Sequence, residues 1–315
     1  MGLTRSAALF VGCTAWLAVQ SAHGVRPGEV SSTAEATCGY RALAAQHPDS
    51  KLRNPDDLAA KLCRWKSPLP RDYAAARPFI DQGETYSAFF YVNARTHYID
   101  AALKKAAVDG ATQAVILGAG FDSRAYRFRA SHPQLRFFEV DLPATIEAKK
   151  KRIAEALGGL PDYVRYAPID FNTQKLEDVL LPLGYDPKQR TFFLLEGVVM
   201  YVVEGGNGAT FDFIRKHSGS GSVVVYDYVL KQVIQGKTKG YYAAAYLSYA
   251  VERAGEPYIF GWTPAEAAAW AKKRGFSVVE DIGGKDLTRR HLTGSNGKPD
   301  GPMIDWHRLI EARVR

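Results

Sequence analysis

The order of short apolar runs along the chain constrains its fold most strongly. Each run is short enough for a strand, and the segments between the runs are long enough for helices. The predicted strands are Gln113–Leu117, Arg136–Val140, Val164–Ile169, Thr191–Leu195, Ser222–Tyr226 and Ser277–Val279, with a seventh within Ile304–Val314. Because continuously apolar strands that alternate with helices are typical of parallel sheets, we predict an α/β fold whose mostly parallel sheet is covered on both faces.

The segments that flank this pattern suggest further organisation. Residues 25–110 are predicted to be helical with interruptions, with helix formers at Ala34–Ala45 and Asp56–Leu62. Late in the chain, Thr263–Glu266 has the pattern of a capping box that starts a helix. Residues 111–315 then form the main domain, and residues 231–260, rich in tyrosine, are an insertion after the fifth strand.

The first 24 residues have the layout of a secretory signal peptide. Arg5 precedes an apolar run, Ala7–Val19, and small residues precede a candidate cleavage point after Gly24. The run is short for a bilayer span, but an uncleaved segment would associate with a membrane through residues 7–19. We therefore expect an exported or membrane-associated protein, with a cytoplasmic one as the alternative.

The net charge of the chain indicates which class of partner it binds. The formal charge is +8 over 315 residues, which indicates a solvated surface and no nucleic-acid interface. The cationic run Lys149–Arg152 is likewise predicted to be a solvated helix face.

The cysteines leave two possibilities. After cleavage Cys38 and Cys63 remain, and they could form a disulfide or stay as two free thiols. The spacing of His and Cys predicts no metal site.

Carboxylates follow the predicted strands, and ligands of parallel sheets lie at the carboxyl ends of the strands. Four of the first five strands end at Asp141, Asp170, Glu196 or Asp227, and the other ends in the glycine turn Gly118–Gly120. Asp141 follows Gly118 by 23 residues, near the spacing of an acid that binds ribose hydroxyls. For Asp227, a loop start is the alternative to a functional role.

The glycine turn favours S-adenosyl-L-methionine over NAD. Ser123 occupies the position of the third glycine of a dinucleotide-binding motif, and Asp122 would oppose a pyrophosphate. A sulfonium cation, in contrast, would be stabilised by carboxylates. A nicotinamide-dependent oxidoreductase is therefore disfavoured.

Together these segments resemble the leucine carboxyl methyltransferase-like family of class I S-adenosyl-L-methionine-dependent methyltransferases. The resemblance covers roughly residues 30–315 and rests on Asn93–Asp100, Leu117–Arg124, Phe138–Pro143, Leu195–Tyr201 and Gly255–Gly261. It implies a Rossmann-like sheet of seven strands, an N-terminal helical cap over residues 25–110 and a lid at residues 231–260.

The resemblance also implies roles for individual residues. Arg95 would bind the carboxylate of the cofactor, and the turn at Gly118 and Gly120 would lie beneath its methionine and ribose parts. Asp141 would bind the ribose. Adenine would lie against Asp170 and the backbone of Phe171, and Glu196 would approach the amino group. The apparent signal peptide departs from the family, because S-adenosyl-L-methionine is made in the cytosol.

The acceptor is predicted to be a small molecule, methylated on a carboxylate or a hydroxyl oxygen. Its pocket is expected to involve Tyr201, Tyr228, Tyr242 and Tyr246. No general base is assigned: His97 is the nearest candidate to Arg95, but its position on the helix favours a packing role. The alternatives are a catalytically inactive binding protein on this fold and a protein C-terminal carboxyl methyltransferase.

Overall fold

The computed structural model describes residues 28–65, 67–171 and 173–315. The predicted signal segment, residues 1–24, therefore lies outside the described residues. No helix in the described part is long and apolar enough to cross a membrane.

Seven strands form one sheet in the order β3-β2-β1-β4-β5-β7-β6, and β7 runs antiparallel to both of its neighbours. The remaining pairs are parallel, which confirms the predicted mostly parallel sheet. The strands are β1 (Gln113–Leu117), β2 (Arg136–Asp141), β3 (Val164–Pro168), β4 (Thr191–Leu195), β5 (Val223–Val229), β6 (Phe276–Ile282) and β7 (His307–Val314).

Helices cover the sheet and extend beyond its ends. The longest, α4, packs against β4, β5 and the last helix, whereas α6 packs against β2 and β3. The helices are α1 (Ser32–Ala44), α2 (Ala59–Leu62), α3 (Tyr73–Ile80), α4 (Ala88–Val108), α5 (Arg124–Arg127), α6 (Pro143–Leu157), α7 (Leu176–Leu180), α8 (Glu204–Lys216), α9 (Lys231–Ile234), α10 (Ala244–Arg253), α11 (Pro264–Lys273) and α12 (Gly284–His291). The capping box of α11 forms as predicted, with Thr263 and Glu266 bonded reciprocally.

The start of helix α1 is hydrogen-bonded to Glu256, which lies in the segment Gly255–Gly261. Glu256 is buried, and its carboxylate accepts hydrogen bonds from the Ser32 backbone N–H at 2.7 Å and the Ser31 hydroxyl at 3.0 Å. The same helix carries Ala34, whose Cβ would lie 3.2 Å from a Cβ added at Gly120. The start of α1 therefore lies directly over the glycine turn.

Strand β5 extends further than predicted. It continues to Val229, so Asp227 lies within the strand and does not begin a loop. The extension is stabilised by antiparallel pairing with β7, which continues to the pair Val229 and His307. Conversely, the helix predicted over Asp56–Leu62 is only the short α2, because Asp56 lies in the turn before it.

The prediction that Lys149–Arg152 is a solvated face is wrong for its first and last residues. Lys149 is fully buried and pairs with Glu139 of β2, with Nζ and Oε1 2.8 Å apart. Arg152 pairs with Glu35 of α1 and lies over the ring of Phe121 at 3.9 Å. Two cations of α6 therefore link it to the sheet and to α1, because buried charges require partners.

The two cysteines are close to each other in the structure, at the packing of α1 against α2. Both are free thiols, Cys38 buried and Cys63 half-buried. The Cys38 Sγ donates to the carbonyl of Ala59 at 3.6 Å. The structure therefore has the free-thiol form of the two alternatives.

Candidate functional site

The loop after β1 is a tight turn that only glycine fits. Gly118 has φ +67°, and a Cβ added there would lie 2.3 Å from Val198 Cγ2. Gly120 also has positive φ, +42°. Val198 and Ala34 fill the space beside these two glycines, so the turn packs this closely only without side chains there.

The Asp141 carboxylate is fixed beside this turn by backbone donors. Its Oδ2 accepts the N–H of Gly120 at 2.6 Å, and its Oδ1 accepts the N–H of Leu142 at 2.7 Å. Each ionised oxygen can accept more than one hydrogen bond, so both retain capacity for a ligand hydroxyl. The structure thus brings Gly118, Gly120 and Asp141 together at the ends of β1 and β2.

Arg95 of α4 spans two carboxylates at the ends of the next strands. Its Nη1 donates to Asp227 Oδ2 at 2.6 Å, and its Nε lies 2.9 Å from Glu196 Oε1. Asp227 Oδ1 in turn accepts the Gly197 N–H at 2.6 Å. The second contact of Arg95 is not aligned as a hydrogen bond, which leaves Glu196 Oε1 without a donor within the described chain.

A second buried arginine, Arg124, completes a cluster of buried charges that also contains Arg95, Glu196 and Asp227. Its Nη1 donates to Glu196 Oε2 at 2.7 Å, its Nε donates to Asp100 at 2.7 Å, and it also pairs with Asp122. Burial opposes ionisation of Glu196, but the charges of Arg95, Arg124 and Arg41 outweigh it and lower the pKa of Glu196 to about 2. The glutamate is therefore an anion throughout the physiological range.

Asp170 and Phe171 follow β3 on the other side of the turn. Both are half-buried, and the Asp170 backbone N–H is held by Gln174 at 3.0 Å. The Phe171 carbonyl would lie 3.8 Å from a Cβ at Gly206, at the start of α8. These residues therefore lie at the end of β3, with the Phe171 carbonyl near the start of α8.

The four predicted acceptor tyrosines do not share one location. Tyr201 stacks near Tyr258 at 5.5 Å, whereas Tyr228 donates to Asp281 at 2.9 Å and packs on Trp262. Residues alternate faces along a strand, so Tyr228 points away from Asp227. Tyr242 donates to the carbonyl of Gly83, and Tyr246 is exposed on α10.

Three residues of the cluster, Asp227, Arg124 and Tyr91, were not assigned to the site from the sequence. Asp227 was identified as a strand-end acid, but its role was left open. Tyr91 was missed: its hydroxyl donates to Asp227 Oδ2 at 3.1 Å, and Arg95 lies over its ring at 5.3 Å. Its position four residues before Arg95 on one helix is a signal that could have identified it.

The His97 ring lies outside this cluster. It stacks on His291 with ring centroids 6.4 Å apart, which fits the helix-packing interpretation. Burial lowers the pKa of His97.

The unsatisfied atoms of the cluster suit an amino acid group. Glu196 Oε1 and Arg124 Nη2 are both buried and lack hydrogen-bond partners among the described residues. A carboxylate oxygen without an aligned donor matches an ammonium group, and a guanidinium N–H without an acceptor matches a carboxylate. The residues present therefore fit the methionine end of S-adenosyl-L-methionine, and Asp141 fits its ribose.

Comparisons with known proteins show the family of the chain. The family described as leucine carboxyl methyltransferase matches residues 34–215. The chain is 30% identical over 219 residues to YktD of Bacillus subtilis, named as a candidate S-adenosyl-L-methionine-dependent methyltransferase, and the match covers 70% of this chain and 71% of the relative. A similarly named protein of Mycolicibacterium paratuberculosis is 28% identical over 90% of this chain and 95% of its own length.

A solved structure supports the fold. The crystal structure of a DUF574 family protein from Streptomyces avermitilis aligns with a TM-score of 0.56 and 15% identity, over 91% of this chain and 99% of its own. The predicted fold, cofactor and enzyme class are confirmed. The chain belongs to the leucine carboxyl methyltransferase family of S-adenosyl-L-methionine-dependent methyltransferases.

Proposed function

We propose that this protein is an O-methyltransferase that methylates a carboxylate, or alternatively a hydroxyl, of a small-molecule acceptor. When bound, S-adenosyl-L-methionine supplies an electrophilic methyl group that passes to an acceptor oxygen as the carbon–sulfur bond breaks, its electron pair remaining on sulfur. The protein then contributes position and a site from which water is excluded.

The observation that carries the proposal is the row of fixed charges along one sheet edge. Asp141 is held by two backbone N–H groups beside the glycine turn. Glu196 and Arg95 follow at the ends of the neighbouring strands and are held by other buried charges. Groups fixed in this way are ordered before a ligand binds, so binding costs little reorganisation.

Each group has a specific role in this proposal. Asp141 accepts hydrogen bonds from ribose hydroxyls, and Glu196 accepts from the methionine ammonium. Arg95 and Arg124 orient the methionine carboxylate, while Asp170 and the backbone of Phe171 bind adenine. These contacts place the reactive methyl group near the ends of β4 and β5.

A carboxylate acceptor suits the site because its oxygen is already ionised at neutral pH and requires no general base. A hydroxyl acceptor would need a group to remove its proton. Glu196 and Asp227 are the carboxylates at the ends of β4 and β5, but both form ion pairs with Arg95 and so are poor general bases.

The experiment uses the full chain, S-adenosyl-L-methionine with an isotopically labelled methyl group, and a panel of organic acids paired with the matching alcohols and phenols. The proposal predicts a labelled product that mild base hydrolyses, as a methyl ester does. Asp141→Ala is the control that lowers turnover through cofactor binding, by about 10- to 150-fold in affinity.

Two other results of this experiment would favour the alternative functions. A base-stable labelled product would contradict the carboxylate acceptor and indicate hydroxyl methylation. Cofactor binding without transfer to any small molecule would contradict the proposal and favour an inactive binding protein or a protein substrate.

A further inference from the structure

A buried histidine lies at the end of the same sheet edge with both ring nitrogens unused. His307 is the first residue of β7 and is 6% exposed. Neither Nδ1 nor Nε2 has a hydrogen-bond partner among the described residues. Because buried polar atoms are normally satisfied, two such atoms in one side chain indicate a missing partner.

The pairing of β5 with β7 places the His307 side chain on the same face of the sheet as Asp227. His307 pairs with Val229 and Leu309 pairs with Asp227 in the antiparallel ladder of β5 and β7. Opposite residues point to one face, and alternate residues share it, so His307 and Asp227 lie on the same side of the sheet. The adjacent Arg308 points the other way and pairs with Asp281 at 2.8 Å.

The sheet order then separates two halves of the site. The turn and Asp141 are at β1 and β2, Glu196 is at β4, and Asp227 and His307 are at β5 and β7. A cofactor held at β1, β2 and β4 leaves the β5 and β7 end for the acceptor.

Aromatic rings surround His307. The centroid of its ring is 5.0 Å from that of Tyr91, 5.6 Å from Tyr258 and 4.4 Å from Trp306. Tyr258 also contacts Tyr201, one of the predicted acceptor tyrosines. Rings in such an arrangement suit a flat, apolar body with a polar edge.

The protonation state of His307 decides which hydrogen bonds its ring can form. Burial, together with the nearby positive charge of Arg95, lowers the pKa of His307 to about 3. The imidazole is therefore neutral at pH 7 and carries one N–H donor. This N–H is a hydrogen-bond donor that has no acceptor among the described residues.

We infer that His307 contacts the methyl acceptor and donates its ring N–H to a carboxylate oxygen of a flat, aromatic organic acid. The inference rests on the proposed function and deepens it by naming the acceptor class. His307 is then a positioning and specificity residue, since the acceptor oxygen needs no base.

The test uses benzoate as the probe and the full chain saturated with S-adenosyl-L-homocysteine. Calorimetry gives the benzoate affinity of the wild type, of His307→Phe and of His307→Gln. The Phe variant keeps a ring but loses both nitrogens, whereas Gln retains an N–H donor. We expect binding to weaken at least about tenfold in His307→Phe and to stay within about threefold in His307→Gln. In ¹⁵N-labelled protein, benzoate is expected to shift the His307 ring resonances.

Controls separate a failure of this inference from a failure of the proposed function. His132, which bonds Ser131 outside the site, provides the matched variant His132→Phe, expected to leave both affinities unchanged. Cofactor affinity of His307→Phe should stay within about twofold of the wild type. Absent benzoate binding in the loaded wild type at about 20 mM, or equal affinity in His307→Phe, would overturn the role of His307. Failure of the wild type to bind S-adenosyl-L-homocysteine would contradict the proposed function itself.

Discussion

At the scale of single residues, the site depends on positions where one atom more or less changes the geometry. Gly118 must have no Cβ, because Val198 occupies the space that a Cβ would need. Arg95 must reach two carboxylates in different directions, to Asp227 with Nη1 and to Glu196 with Nε. The planar fork of arginine does this, and a single ammonium group does not.

Replacing Gly118 or Gly158 with alanine should have different effects on stability, although the two glycines have similar φ. Gly118→Ala should destabilise the protein by about 3 kcal/mol or more, since strain at positive φ adds to a clash with Val198. Gly158→Ala, at φ +79° with nothing within 4 Å of its Cβ, should lose only about 1 kcal/mol. Urea unfolding of both variants measures the difference, and equal losses would show that the turn tolerates a side chain.

The arginine prediction concerns binding. Arg95→Lys should weaken S-adenosyl-L-methionine binding at least about tenfold, because lysine cannot hold Glu196 and Asp227 together. Arg290→Lys is the matched control, since Arg290 forms an exposed pair with Glu280 and should keep wild-type affinity. Wild-type affinity in Arg95→Lys would remove Arg95 from the cofactor site.

At the scale of elements, the underside of the glycine turn is a buried ion pair between β2 and α6. Glu139 accepts from Tyr126 at 3.0 Å and pairs with Lys149, which also donates to the Ala119 carbonyl at 3.3 Å. Burial outweighs the attraction of Lys149 and raises the pKa of Glu139 to about 7. This contact links the position of helix α6 to the backbone of the turn.

The raised pKa predicts how stability depends on pH. The ordinary glutamate pKa is about 4.3, so the folded protein binds this proton more tightly than the unfolded chain does. The resulting stability is fully present below about pH 4.3 and is lost as pH rises through about 7. Relative to Glu139→Gln, the free energy of unfolding of the wild type should therefore fall by on the order of 2 to 3 kcal/mol from pH 5 to pH 8.

Denaturant unfolding across that range tests the prediction. The other titratable groups are common to both proteins, so the comparison of wild type with Glu139→Gln tests the contribution of the Glu139 carboxylate. Parallel pH profiles for the two proteins would show that Glu139 does not titrate near neutrality.

The elements also show where sequence reasoning succeeded. The bounds of β1 and β4 were predicted correctly, because each is a short apolar run with a clear end. The end of β5 was not, since pairing with β7 extends it and the partner lies about eighty residues away in the chain. The burial of Lys149 and Arg152 depends on Glu139 and Glu35, which nothing in the cationic run itself indicates.

At the scale of the whole molecule, the sheet arranges the candidate site in one line. The acids at the strand ends were predicted to meet, since parallel strands end at one edge, and the structure brings Asp141, Glu196 and Asp227 to that edge. The acceptor side could not be predicted in the same way. Tyr228 lies on the opposite face, and His307 reaches the edge only through the antiparallel strand.

The coverage of this edge by α1 is a further property of the whole chain. Glu256, far along the sequence, accepts hydrogen bonds from the first residues of α1, and Ala34 approaches Gly120. Residues before β1 therefore cover the glycine turn, and a helical cap over the cofactor stays a prediction.

The most direct measurement is a calorimetric titration of the full chain with S-adenosyl-L-methionine, with NADH as the control ligand. We predict micromolar binding of S-adenosyl-L-methionine and none of NADH, because the turn lacks a third glycine and the edge carries carboxylates for a sulfonium ligand. A folded sample that does not bind S-adenosyl-L-methionine would contradict the account, and the fixed charges along the edge would then have only a structural role.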